Sequence, residues 1–233
     1  PEPHNPYQVS EPYYSMFPPE KLPPVRTGLK DLAVKGPEYE LLHEMMSLGH
    51  AGYYEHLDRL RSNYLGMIRL IDDQIARLVE QLRKDGTYEN TVFVVTADHG
   101  DFAGEYGLMK KGVGLSDIVA RVPFVWFGGP VPAQGLSHSH VSLVDVFPTF
   151  CEMAGGENPE GVQGRSLANV IGGGDYPEEE FRSVMSEDGY GGQYYTKEDG
   201  TDYAREGATR KKPGFFDELN TWTQSGASRC VRM

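Results

Sequence analysis

The longest regular pattern of hydrophobic positions lies between residues 55 and 84. Leu57, Leu60, Tyr64, Ile68, Ile71, Ile75, Leu78 and Leu82 recur at steps of three and four, which predicts one amphipathic helix with its apolar stripe on a core. Arg61, Arg69, Asp72, Asp73, Arg77 and Glu80 make the watered face, and Gly86 is a natural stop. A shorter helix is expected over 38–48. The run 91–97 (TVFVVTA) is β-branched and almost wholly apolar, the pattern of a strand buried on both faces, and 122–127 (VPFVWF) is a second strand closed by Gly128-Gly129-Pro130. Leu143, Val144, Phe147, Phe150, Cys151 and Ala154 give another helical face, and 183–186 is a short strand candidate. Helices alternating with buried strands predict a doubly wound α/β sheet.

Two stretches escape this periodicity. Residues 1–37 are so rich in proline that neither helix nor central strand persists, yet they carry Tyr7, Tyr13, Tyr14, Met16 and Phe17. A solvated linker would lack such aromatics, so the segment is expected to lie ordered across a folded surface. Beyond Asp188 the chain turns to Gly, Tyr and charge, with aromatics at Phe215, Phe216 and Trp222. Tyr190, Tyr194 and Tyr195 there are candidates for stacking on a sugar or ring, or for packing on their own domain.

Composition narrows the function classes. A net charge of −12 over 233 residues disfavours nucleic acid and anionic membranes as partners, since both call for a cationic footprint. An anionic small substrate remains possible where a local cation offsets the field. Two cysteines make no disulfide framework, and Cys151, in an apolar helical pattern, reads as a buried thiol. No stretch approaches a membrane span, and a start at Pro1-Glu2-Pro3-His4 points to a chain cut from something longer.

Ligands of open α/β sheets bind outside the carboxyl ends of the strands. The dense polar cluster at such an end is Asp98-His99-Gly100-Asp101, followed by Glu105 and Lys110-Lys111. A carboxylate beside an imidazole is a mixed O/N donor set suited to Mn²⁺, Zn²⁺ or another borderline divalent cation, less so to Ca²⁺. The alternative is a turn that caps the strand through side-chain hydrogen bonds. Lys110 and Lys111 read either as solvated charges or as an oxyanion clamp, and His4, in rigid extended backbone, as a surface residue or a positioned proton donor. His138 and His140 read as loop residues, and His43, His50 and His56 as surface residues.

The motifs PHNPY, YLGMIRLIDDQIARLVEQL, NTVFVVTADHGDFAGEYGLMKKG, RVPFVWFGG, HVSLVDVFPTFCEMAG and GVQGRSL together resemble the sulfatase family of the alkaline-phosphatase-like superfamily. The resemblance implies an alkaline-phosphatase-like doubly wound sheet sandwiched by helices, incomplete at both ends. It further implies hydrolysis of sulfate esters of small molecules or saccharides, using a formylglycine nucleophile and one divalent cation, Ca²⁺ or Mn²⁺, Mg²⁺ or Zn²⁺. By that resemblance Asp98 and His99 are metal ligands. Lys111, with Lys110 as the one-residue alternative, contacts the sulfate and leaving oxygen, and His4 is a sulfate contact and proton donor. His99, where many sulfatases carry asparagine, is similar to phosphonate monoester and phosphodiester hydrolases, which keeps that ester class as the alternative.

The family's nucleophile motif, Cys or Ser followed by x-Pro-x-Arg, does not occur in this chain. The formylglycine and the remaining metal ligands are therefore expected on an N-terminal portion before Pro1, and the chain alone is expected to be inactive. Residues 1–187 are expected to be part of the catalytic α/β domain, and 188–233 a loop-rich excursion towards a C-terminal subdomain. From another class, the missing nucleophile would also suit a non-catalytic binding domain that keeps the fold.

Overall fold

A computed structural model of the protein describes residues 3–49, 52–112, 114–189 and 228–233. Its helices are α1 (Tyr13–Met16), α2 (Pro37–Gly49), α3 (Leu57–Lys84), α4 (Asp117–Ala120), α5 (Val146–Met153) and α6 (Ala168–Gly172). Its strands are β1 (Val92–Thr96), β2 (Phe124–Gly128), β3 (Val184–Asp188) and β4 (Ser228–Arg232). The expectations for His50, Tyr190, Tyr194, Tyr195, Phe215, Phe216 and Trp222 lie outside the described residues. The chain divides into two compact units, one of Pro1–Leu78, His99–Arg121 and Glu187–Ser228, the other of Val79–Asp98, Val122–Ser186 and Arg229–Met233.

In the first unit α3 is the long element the periodicity predicts, and at 28 residues it is about 42 Å long. Leu57, Leu60 and Tyr64 pack on a core of Tyr7, Leu32, Tyr39, Leu42, Met46, Tyr53, Met67, Phe102, Leu108, Met109 and Val119. The stripe does not stay buried along its length, because Ile68 and Leu78 are 42% and 52% exposed. The fully covered positions are instead Ser62, Gly66 and Met67. Ser62 and Gly66 are small because the proline-rich segment lies directly on them. A Cβ on Gly66 would stand 2.6 Å from the Tyr13 carbonyl oxygen, and the Ser62 hydroxyl donates to the Phe17 carbonyl. Asn63 Nδ2 donates to the Tyr7 carbonyl, the Tyr13 hydroxyl to Asp73, and the Arg61 guanidinium to the Pro23 carbonyl, while Arg59 stacks over Tyr14. The segment is thus an ordered strap, as its aromatics imply. After α3 the chain turns at Gly86 (φ +72), where the Thr87 amide returns to the Leu82 carbonyl.

In the second unit β1 and β2 pair antiparallel, with Val94 opposite Trp126 and Phe93 stacked on Phe127 at 4.7 Å. The two-face burial expected of 91–97 is not found, since Val92–Val95 are half-buried and Thr96 is exposed. Among the described residues β1 has a neighbour along one edge only, and its sheet is two strands wide. The face expected to be the core of α5 is likewise turned outward: Val144, Phe147 and Phe150 are exposed, while Pro148 and Thr149 are buried. Cys151 is half-buried rather than enclosed. Besides the buried Pro148 and the contact of Phe150 with Trp126 at 5.4 Å, polar bonds hold α5. The Thr149 hydroxyl donates to the Asp145 carbonyl and accepts the Leu167 amide, while the buried Asp145 carboxylate accepts the amides of Ser142 and Arg165. Arg165 in turn donates to the carbonyls of Glu180 and His140 and stacks on Phe181. The strand at 183–186 is found as β3, and it pairs with β4, which hydropathy did not anticipate because every residue of β4 is exposed.

Candidate active site

Beyond β1 the chain makes a compact loop from Asp98 to Gly112 that owes its shape to three contacts. The Gly100 amide donates to the Val119 carbonyl at 2.7 Å, so close to α4 that a Cβ would stand 2.1 Å from the Ile118 carbonyl oxygen. The Phe102 amide then donates to the Lys110 carbonyl at 2.9 Å, and the Gly104 amide to the Leu108 carbonyl at 2.7 Å, which closes the loop on itself. Phe102, Leu108 and Met109 plug it into the core, each at most 1% exposed, and Tyr39 of α2 meets Phe102 edge to face. Ala103, Tyr106 and Lys110 all have positive φ, and they are the non-glycine residues that do so among the described residues. Each such conformation costs on the order of 1–3 kcal/mol and persists where the surroundings over-determine it.

Polar groups supply that determination. Asp101 Oδ1 accepts the amides of Ala103 and Lys110, both at 2.9 Å, and its Oδ2 accepts the Tyr7 hydroxyl at 2.6 Å. The Lys110 amide also donates to the Tyr7 oxygen at 2.9 Å. Burial first, then the Asp101 charge and hydrogen bond, push the Tyr7 hydroxyl far above the ordinary phenol range. Burial likewise pushes Tyr64 up to about 12. Lys110 is pushed down by burial, with Asp101 opposing. On the far side of the loop Glu105 accepts the Thr27 hydroxyl at 2.6 Å and the amides of Arg26 and Thr27. Burial acts to raise its carboxyl, and these bonds outweigh it, holding the group below the ordinary carboxylate range.

The residues singled out from sequence fall as follows. Lys111 and His99 meet side chain to side chain, with Nζ 2.9 Å from Nε2, and His99 Nδ1 lies 2.9 Å from the Gly100 carbonyl oxygen. These partners assign the proton to Nδ1, which donates to the carbonyl, and leave the Nε2 lone pair to accept from the Lys111 ammonium. That lone pair is the one a metal ion would take, so a cation bound by His99 would displace the Lys111 ammonium from Nε2. Asp98, exposed, precedes His99. A carboxylate and an imidazole are donor types a divalent cation takes, and no group of three or more His, Cys, Asp or Glu able to hold a metal occurs among the described residues. His4 is exposed on the strap, its Nδ1 2.7 Å from the Asn5 carbonyl oxygen. Lys110 contributes its backbone to the loop. His138 is an exposed loop residue and His140 half-buried, in keeping with the plainer reading of that pair. His43, expected at the surface, is half-buried on α2 against Tyr54, because that helix face packs on the 54–56 turn. Burial lowers its imidazole below the usual range. Sequence reasoning placed Asp101 in the polar cluster and Tyr7 on the strap but did not anticipate the hydrogen bond between them.

No helix among the described residues is long and apolar enough to cross a membrane. The sulfatase family profile matches residues 1–156. The chain is similar to the multifunctional alkaline phosphatase superfamily protein PehA of Trinickia caryophylli, at 28% identity over 74% of this chain and 36% of that protein. It is also similar to an arylsulfatase of Clostridium perfringens, at 30% identity over 72% of this chain and 35% of that protein. In three dimensions it superimposes on a phosphonate monoester hydrolase from Silicibacter pomeroyi with a TM-score of 0.74, at 25% identity, covering 99% of this chain and 44% of that one. The chain spans about a third of the length of these curated relatives. Its fold is of the alkaline-phosphatase-like kind, and by the profile match over two thirds of its length the chain belongs to the sulfatase family.

Proposed function

We propose that this chain is part of a sulfuric ester hydrolase, in which Asp98 and His99 bind a divalent cation and Lys111 and His4 act on the ester. The observation that carries the reading is that Lys111 Nζ lies 2.9 Å from His99 Nε2, which sets an anion-binding ammonium beside the candidate ligand; a cation taking the Nε2 lone pair would release that ammonium to the ester. A cation held there would supply positive charge to the ester's non-bridging oxygens. The Lys111 ammonium is a compact point charge suited to an anionic oxygen of the transferred group, and the charge that develops on the leaving oxygen is where such a group acts most strongly. His4 donates its Nδ1–H to the Asn5 carbonyl, so as an imidazolium, protonated on both nitrogens, it would pass the Nε2 proton to the leaving oxygen. The nucleophile, a formylglycine, comes from a part of the protein outside this chain. The substrate is a sulfate ester of a small molecule or saccharide.

A phosphonate monoester or phosphodiester hydrolase is the second reading. His99 in place of asparagine favours it, as does superposition of 99% of the chain on a phosphonate monoester hydrolase. Two measurements test the proposal. Calorimetric titration of the complete reading frame with Mn²⁺, Zn²⁺ and Ca²⁺ is expected to show binding that Asp98→Ala weakens. In the complete reading frame, an aryl sulfate and a matched aryl phosphonate are assayed with metal supplied. Faster turnover of the sulfate, lost in Lys111→Ala, is expected; faster turnover of the phosphonate selects the second reading, and turnover of neither overturns both.

A further inference from the structure

Tyr7 and Asp101 are joined by a half-buried hydrogen bond of 2.6 Å that spans 94 positions of sequence and has no part in the chemistry assigned above. It ties together the two segments that carry the proposed ester-facing groups. Tyr7 lies three residues after His4, on a strap whose backbone is fixed at this point by Asn63 of α3. Asp101 lies two residues after His99, and its other oxygen holds the Lys110 amide, one residue before Lys111. The Lys110 amide is shared between Asp101 Oδ1 and the Tyr7 oxygen, so three groups close one ring of hydrogen bonds. That ring sets Lys110 at φ +67, a conformation L-residues rarely adopt, and the chain leaves it with the Lys111 side chain directed at His99.

We infer that Asp101 is a positioning residue, with Tyr7 as its partner, whose carboxylate fixes the aim of Lys111 and holds the His4 segment to the same loop. The inference rests on the ester-hydrolase reading for its consequence in catalysis, and on geometry for its consequence in the loop. The carboxylate is required as an acceptor on both oxygens. Asparagine at 101 would keep Oδ1 for the two amides but turn an NH₂ towards a hydroxyl that already accepts from Lys110, leaving the phenol proton without an acceptor. Phenylalanine at 7 would leave Oδ2 without its donor and the Lys110 amide with one partner instead of two. Either change loosens the hold on the Lys110 backbone, and displacement of a reacting group by about 1 Å costs on the order of 100-fold in rate.

Tyr7→Phe, Asp101→Asn and the double variant test this in two ways. In the complete reading frame they are assayed on aryl sulfates whose phenols differ in acidity, with melting temperature measured alongside. The poorer the leaving group, the more a displaced Lys111 and His4 cost. The expected result is a loss of kcat about 10- to 100-fold larger on the least acidic phenol than on the most acidic, with KM changed by no more than about twofold. The double variant is expected to be no worse than Asp101→Asn alone, since the pair acts as a unit. An equal loss on every ester, tracking the folded fraction, is what a merely structural bond gives, and it overturns the inference. In the chain itself, the ring resonances of His99 and His4 at one fixed pH are expected to shift in Tyr7→Phe and Asp101→Asn. Unchanged resonances in both variants overturn it independently of any turnover. A wild-type enzyme that cleaves no ester refutes the functional reading alone, and the resonances then decide the positioning role.

Discussion

Gly100→Ala adds one methyl group where the backbone of α4 passes closest to the loop. Gly100 does not have a positive φ, so alanine is conformationally acceptable there and the whole penalty is steric. The added Cβ would stand 2.1 Å from the Ile118 carbonyl oxygen and 3.2 Å from the Val119 Cα, both backbone atoms that cannot rotate away. Relief requires the loop and α4 to separate by about 1 Å, which overpacking series put at about 1–3 kcal/mol. The same movement stretches the 2.7 Å bond from the Gly100 amide to the Val119 carbonyl, worth about 1 kcal/mol. The expected loss is therefore about 2–4 kcal/mol, read as a lower urea midpoint at unchanged slope. Gly28→Ala in the same unit is the control, because nothing lies within 4 Å of its added Cβ and its backbone is extended. It is expected to stay within about 1 kcal/mol of wild type. A Gly100→Ala midpoint no lower than that of Gly28→Ala would refute the claim that close backbone contact with α4 shapes the loop.

Thr149→Val keeps shape but leaves the buried Leu167 amide without its acceptor, and a loss of about 1–3 kcal/mol is expected in urea unfolding. Phe102→Ala empties a site that is 0% exposed between the loop and α2, with an expected loss of about 3–5 kcal/mol by thermal or urea unfolding. Glu105→Gln tests pH dependence. The folded carboxyl is held below its unfolded value, so its stabilisation is full above the unfolded value near 4.3 and is lost as pH falls through the lower folded one. Wild type should exceed the variant by about 1–2 kcal/mol at pH 7, and the gap should close below about pH 4 in a series of urea midpoints.

The helices and strands were largely legible in sequence because each has a strong local signature: a stripe at steps of three and four for α3, β-branched runs for β1 and β2. Burial was less legible, and for one physical reason. Hydropathy reports which residues would favour a partner, not which partner the described chain provides. Val144, Phe147 and Phe150 are apolar enough to be core yet stand exposed, and β1 is composed for a sheet interior yet is covered along one edge. Conversely, Ser62 and Gly66 are buried because they are small. A helix surface that receives a backbone strap is selected for close approach rather than hydrophobicity, and a stripe search passes over it. β4 is the opposite case, an exposed strand without apolar alternation to announce it.

The same distinction explains the site. Asp98, His99 and Lys111 stand out as candidates because metal binding and anion binding each call for a residue type that is conspicuous in an apolar neighbourhood. Asp101 and Tyr7 do not, since their roles come from each other across 94 positions and neither has a local pattern. The available signal was a surplus. The Asp98-His99-Gly100-Asp101 turn carries one more carboxylate than a two-ligand contribution uses, and the strap carries a tyrosine that closes a proline-rich motif. A carboxylate half-buried in a loop must have its charge met, and in this loop two amides and a phenol hydroxyl meet it. Such a carboxylate holds backbone in place, whereas Asp98 lies exposed at the surface. The two aspartates of one short motif thus differ in burial and in what meets their charge, a difference that composition and spacing do not encode.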